Sequence, residues 1–260
     1  MFGSLGGNVL EYNRVLRILF KSVLQEFKVN LDDDVLCWFK SGTDLRLPSS
    51  EYALLRGKEI LLTCRYYRGV GQVFTVAPRS FRGKLKDVLN LDLDYLGNVS
   101  VLHGVMNAVL KHLGLISKSE HCVEREPELC GYALYDEIIS HYGQNVRVLH
   151  VGYQPGHIKV LAKFLRDNLV VTDLDESLVW RTKHGRLVVD GSLNKYLIAH
   201  VDVILLTASS IANNTAWDIL NHAKILGKEV IVYGVSASAA IQLLRSKGVI
   251  NVRHFCPYAK

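Results

Sequence analysis

The stretch VRVLHVGYQPGHIKV, residues 146–160, decides the fold. A short apolar run ends at a glycine, and Pro155 then stands where a first helical residue would, ahead of apolar residues at helical spacing. The same rhythm recurs downstream. LVVTD (169–173), VDVILLT (201–207), EVIVYG (229–234) and VINV (249–252) read as strands, with helical patterns at about 132–142, 156–167, 193–199, 212–226 and 237–247. Strands that are nearly continuous apolar runs belong to a sheet covered on both faces. Residues 131–260 are therefore predicted to form a doubly wound parallel α/β sheet.

The rhythm upstream is different. Leu16, Leu19, Phe20, Val23, Leu24 and Phe27 recur at helical spacing, so residues 8–28 read as an amphipathic helix. The β-rich runs 35–40, 59–67 and 71–77 suggest an antiparallel sheet, and 99–115 a second helix. These make a small α+β domain over residues 1–117. The charged stretch 118–130 reads as a surface linker.

With 260 residues, 49% hydrophobic and 22% charged, the chain is neither disordered, collagen-like nor a disulfide-stapled miniature. Its net charge of +6 points to an anionic partner. Five cysteines without a CxxC pair suggest a reducing, cytoplasmic setting. The N-terminal stretch lacks signal-peptide character, and no apolar run reaches membrane-span length, so a soluble protein is expected.

In an open parallel sheet, ligands bind beyond the carboxyl ends of the strands. After the first strand, Gly152, Pro155 and Gly156 form a turn that could receive a phosphate or carboxylate at a helix N-terminus. The pattern is not GxGxxG, which argues against a conventional NAD site. Asp173 ends the second strand, where such folds place an acid on ribose hydroxyls. Asp175 is a reserve or a helix cap. ASSIANNTAWDIL (208–220) contributes Ser209, Asn213, Asn214 and Thr215, and YGVSASAA (233–240) contributes Gly234 and Ser236.

No nucleophile elbow, HExxH or P-loop is present. Asp173, Tyr153 and His157 are the catalytic candidates. His121, Cys122 and Cys130 match no common zinc spacing and read as incidental groups of a solvated linker, so no metal site is expected. Residues 56–86 carry eight basic residues and a single acid, Glu59, with Tyr66, Tyr67, Phe74 and Phe81 interleaved. Such a run suits nucleic acid, a charged outer sheet face, or a cleft that holds an anion.

VGYQPGHI, the acid at 173, VDVILLTASSIANNTAWDIL, and YGVSASAA followed by KGVINV together resemble the family named for putative heavy-metal chelation. Gly152, Tyr153 and Pro155 match its first turn, and Asp173 falls where the family usually has Glu. Asn213 and Thr215 match its third pattern with Asn214 in place of Gly. Gly234 and Ser236 match its fourth with Val235 in place of Pro. Upstream, RGVGQVFT and HGVMNAVL also resemble family segments. The resemblance implies an enolase N-terminal-like domain followed by a Rossmann-like domain, with a site assembled from both. It also implies condensation or hydrolysis around pterins, flavins or metal-chelating metabolites, with Gly71, Thr75 and Asn107 closing the cleft. Two other readings are an S-adenosylmethionine-binding methyltransferase-like protein and a nucleic-acid-binding module using residues 56–86. The cofactor is unassigned, and a homodimer is the default assembly.

Overall fold

The structure, a computed structural model, describes residues 9–40, 47 and 50–260. The first half contains α1 (Val9–Glu26), β1 (Asp34–Lys40), β2 (Ile60–Tyr66), β3 (Gly69–Thr75), β4 (Phe81–Lys84), α2 (Leu85–Val88) and α3 (Leu96–His112). Its sheet is antiparallel in the order β3-β2-β1-β4. The second half begins with α4 (Glu126–Tyr142), β5 (Val148–Val151), α5 (Pro155–Leu165) and β6 (Leu169–Asp173). It continues with β7 (Thr182–Lys183), β8 (Arg186–Asp190), α6 (Asn194–Leu197), β9 (Val203–Thr207) and α7 (Ala208–Ala212). It ends with α8 (Trp217–Ile225), β10 (Glu229–Tyr233), α9 (Ser238–Ser246) and β11 (Arg253–Phe255). The strand order is β11-β10-β9-β5-β6-β8-β7, parallel throughout except for the β7 hairpin edge. Counted from β5 and leaving out β7, this is 3-2-1-4-5-6, the order of a doubly wound dinucleotide-type sheet.

Alternation along the central strands shows why most of their positions are apolar on both faces. Leu149, Val151, Ile204, Leu206, Val230 and Val232 face one core, whereas Val148, Val203, Leu205, Ile231 and Tyr233 face the other. The first core continues into the antiparallel half, taking in Leu16, Phe20 and Leu24 of α1 and the buried face of α3. The two sheets thus share one apolar interior. Among the described residues, no helix is long and apolar enough to cross a membrane.

The expected α/β architecture stands, with local differences. The third parallel strand, β8, lies in a segment the periodicity left unassigned, because only three apolar residues separate Arg186 from Asp190. Strand β4 lacks such a pattern too, its sequence FRGK being polar and only four residues long. The last strand is Arg253–Phe255 rather than 249–252, where Ile250 and Val252 fill the core instead of pairing. Helix α4 starts at Glu126, inside the stretch expected to be linker. Cys37 and Cys64 sit directly opposite in the β1–β2 register with Cα atoms 4.0 Å apart and form a disulfide, which corrects the reading of wholly reduced thiols. At 1% and 0% exposure the bond is sealed from external thiols.

The halves are joined by a polar seam within the shared core. Asn107, fully buried on α3, donates from Nδ2 to the carbonyls of Val235 (3.0 Å), Ser236 (3.2 Å) and Gln72 (3.3 Å). Its Oδ1 accepts the Ala239 N–H at 2.9 Å. Alongside, Phe74 N–H donates to Ser236 Oγ (3.0 Å) and Val76 N–H to Asn213 Oδ1 (3.2 Å). Strand β3 reaches this seam by lying directly on α3. A Cβ at Gly71 would stand 2.2 Å from the Gly104 carbonyl oxygen and 2.5 Å from the Ala108 nitrogen.

Gly71→Ala is therefore expected to lower stability by about 3 kcal/mol, because strand and helix backbones must separate. An unchanged denaturation midpoint would contradict that packing. Asn107→Leu, which strands the Ala239 N–H and the facing carbonyls, is expected to cost about 2 kcal/mol or more in the same measurement.

Candidate functional site

The switch point of the parallel sheet lies between β5 and β9, and the turn after β5 is built around Gly152. Its φ is +90°, and a Cβ there would lie 2.7 Å from Thr207 Cγ2, so only glycine fits. Its N–H donates to the Thr172 carbonyl (2.8 Å), and its carbonyl accepts the Tyr233 hydroxyl (2.8 Å). The helix that follows is capped by the protein itself. Gln154 Oε1 accepts the His157 N–H at 2.6 Å, Pro155 has no N–H, and the Gly156 N–H is bonded to the Tyr52 hydroxyl. The donors expected to receive an anion at this terminus already have partners.

Asp173 closes the turn from β6. Its Oδ2 accepts the Tyr153 N–H (2.6 Å) and its Oδ1 the Asp175 N–H (2.8 Å). Asp175 in turn meets Arg56 at 2.5 Å and Lys58 at 3.7 Å. Burial opposes ionisation of Asp175, but the Ser177 hydroxyl and N–H and the Arg56 guanidinium outweigh it and hold the carboxyl below the usual range.

These loops face the antiparallel half across a cavity of about 800 Å³, within the size range of small-molecule sites. Of the residues singled out from sequence, Gly152, Tyr153, Pro155, His157, Asp173, Ser209, Asn213, Thr215, Gly234 and Ser236 line it. Gly71, Thr75, Asn107, Gly156 and Asn214 are not part of its wall. Thr75 is buried against Ser100 (Oγ1 to Oγ 2.6 Å), Asn107 holds the seam, and Asn214 Oδ1 accepts from Asn13 Nδ2 at 3.0 Å. Asn214 has φ +62°, a left-handed conformation that asparagine tolerates better than most residues, so its substitution for glycine preserves the turn.

The titratable groups of the wall differ in what they can do. Tyr153 is buried and its phenol is raised well above the usual value by burial and by Glu51, whose Oε2 it meets at 3.3 Å. His157 is 3% exposed, with Nδ1 3.4 Å from His150 Nε2; burial, then the neighbouring imidazole, keeps it neutral. The group missed from sequence is Glu59. It lines the cavity beside Ser209 and is pushed up to about 7, first by burial and then by Asp173, against the pull of Ser209 and Arg56. Its one sequence signal was being the sole acid in a basic run.

Of that run, Arg56 and Lys58 reach the cavity, while Arg65, Arg68 and Arg82 are exposed elsewhere. Lys84 and Lys86 pair with Asp34 and Asp32 at 2.8 and 2.5 Å. The interdomain stretch is not a solvated linker. Ser119 is fully buried, and His121 packs against Phe74 with ring centroids 4.0 Å apart, the planes tilted by 53°, and Nε2 3.2 Å from Ser236 Oγ. Burial pushes that imidazole down to about 3. Among the described residues, no group of three His, Cys, Asp or Glu side chains is arranged to hold a metal ion.

No curated protein matches the chain. Among solved structures it is similar to a protein with unknown function from the DUF364 family of Pyrococcus horikoshii, with a TM-score of 0.55 and 16% identity over 89% of this chain and 82% of that one. A second, from the same family in Desulfitobacterium hafniense, has a TM-score of 0.50 and 13% identity over 92% and 85%. At these identities the likeness is one of fold. Residues 137–254 match the family model described as putative heavy-metal chelation, the family that the sequence motifs resemble.

Proposed function

We propose that the protein is a cytoplasmic small-molecule enzyme whose substrate lies between the halves, residues 1–117 and 131–260 joined by 118–130, and that Glu59 moves the proton in its reaction. The observation that carries this reading is the meeting of Glu59 from one half with Asp173 from the other on one cavity wall. A carboxyl poised near neutrality can give and take a proton at physiological pH, as condensation or hydrolysis of a pterin-, flavin- or chelator-related metabolite requires. Asp173, oriented by two backbone N–H groups, would accept from a substrate hydroxyl or amine. Arg56 and Lys58 would meet its anionic group in place of the self-capped helix terminus. A homodimer remains the assembly we assign.

The strand order and the position of Asp173 favour one second reading, S-adenosylmethionine binding. The nucleic-acid reading loses support because Tyr66 is buried with its hydroxyl on Asp33 (2.7 Å) and Phe74 lies in the cavity, which leaves Tyr67, itself stacked on His112, as the exposed ring of the run. An exposed aromatic platform over the basic residues is what such binding would need.

Thermal melts with a reduced pterin, FMN, ATP and S-adenosylmethionine test the reading. A raised midpoint with the pterin or flavin is expected, and retained in Glu59→Gln. A shift with S-adenosylmethionine alone would favour methyl transfer, and no shift with any would remove the small-molecule reading. Glu59 also carries a stability signature. Its folded pKa of about 7 exceeds the ordinary 4.5, so the native state holds a proton that the unfolded state has released. Stability should therefore fall as pH rises from about 4.5 to about 7, and Glu59→Gln should flatten that slope in denaturant titrations.

A further inference from the structure

The three cysteines outside the disulfide come from separate stretches. Cys122 precedes α4, Cys130 lies within it, and Cys256 follows β11, yet all three line the cavity. Backbone pairing brings two of them together. Ser119 and Glu120 N–H groups both donate to the Lys260 carbonyl at 2.7 Å, and Lys260 N–H returns to the Glu120 carbonyl at 3.0 Å. The segment leading to Cys122 thus runs beside the segment leaving Cys256, and Val235 and Ala259 pack around the two sulfurs.

The surroundings of the two sulfurs are unequal. Cys256 Sγ accepts the S–H of Cys122 and the backbone N–H groups of Gly234 and Ala259. Lys118 adds positive charge, its Nζ 2.5 Å from the Cys256 carbonyl oxygen. Converging donors and a cation stabilise sulfur as the thiolate, the form that attacks. Cys122, donating to that sulfur, retains its proton, and burial pushes Cys130 up to about 12.

We propose that Cys122 and Cys256 are a redox-active dithiol that reduces low-molecular-weight disulfides entering the cavity, with Cys256 attacking and Cys122 resolving. The Cys256 thiolate attacks one sulfur of the incoming disulfide, breaking its S–S bond and expelling one thiolate. That thiolate takes the Cys122 proton. Cys122 then attacks Cys256 Sγ in the mixed disulfide and expels the second thiolate, which takes a proton from solvent. In sum, the protein dithiol is oxidised to a Cys122–Cys256 disulfide, and the small disulfide gains two electrons and two protons to become two thiols. The sealed Cys37–Cys64 bond takes no part.

The test treats the native protein with oxidised glutathione at pH 7 and reads intact mass and linked peptides. Loss of two hydrogens with a Cys122–Cys256 cross-link is expected, as is one trapped glutathione on Cys256 in Cys122→Ser and neither product in Cys256→Ser. In the unmodified chain, which needs no variant to fold, iodoacetamide should label Cys256 roughly tenfold faster than Cys130. Unchanged mass in the native protein, or glutathione settling on Cys122 or Cys130 instead, would overturn the assignment.

Discussion

The side-chain amide of Asn107 is the contact on which the arrangement of the two halves depends. Both of its donors and its acceptor are engaged, with the carbonyls of Gln72, Val235 and Ser236 on one side and the Ala239 N–H on the other. Fully buried, it leaves no solvent to stand in for a lost partner, so a displaced register would strand several backbone groups at once. The amide thereby fixes the turn after β10 against β3. With that turn fixed, Ser236 meets Phe74 and His121, Asn213 meets the end of β3, and the cavity opens above the carboxyl ends of the parallel strands.

The polar rim consequently serves the protein before any ligand. Asn213 and Ser236 bind backbone across the seam, Gln154 caps its own helix, and Tyr52 occupies the Gly156 N–H. The amides and hydroxyls set the frame, and the charged side chains of Glu59, Asp173, Arg56 and Lys58 line the cavity beside it. This division follows from satisfaction. A buried backbone donor must be paired in the folded state, whereas a carboxyl on a cavity wall can keep its proton until a substrate arrives.

Legibility in the sequence tracked burial. Strands β5, β6, β9 and β10 were readable because helices cover both of their faces and most of their positions are apolar, α1 because one stripe faces the core, and α3 because its run from Gly97 to Leu110 is buried. β8 and β4 were not, since strands with polar, half-exposed positions carry no such signature. Gly71 was named only through the family resemblance, as closing the cleft, and its actual use as the close contact with α3 depends on a helix that follows later in the chain. The disulfide was hidden for the same reason: Cys37 and Cys64 become neighbours through sheet register.

The sequence by itself determined the class of fold and the rim on which polar residues gather, because periodic burial is written locally, residue against residue along one element. Only the tertiary structure decided what those residues do. Burial and the neighbouring Asp173 raise the proton affinity of Glu59 against the pull of Ser209 and Arg56, and Cys122, Gly234, Ala259 and Lys118 converge on Cys256 to lower that of its sulfur. Proton affinity is set by distance through space and by exclusion of water, and neither is a property of any one stretch of chain.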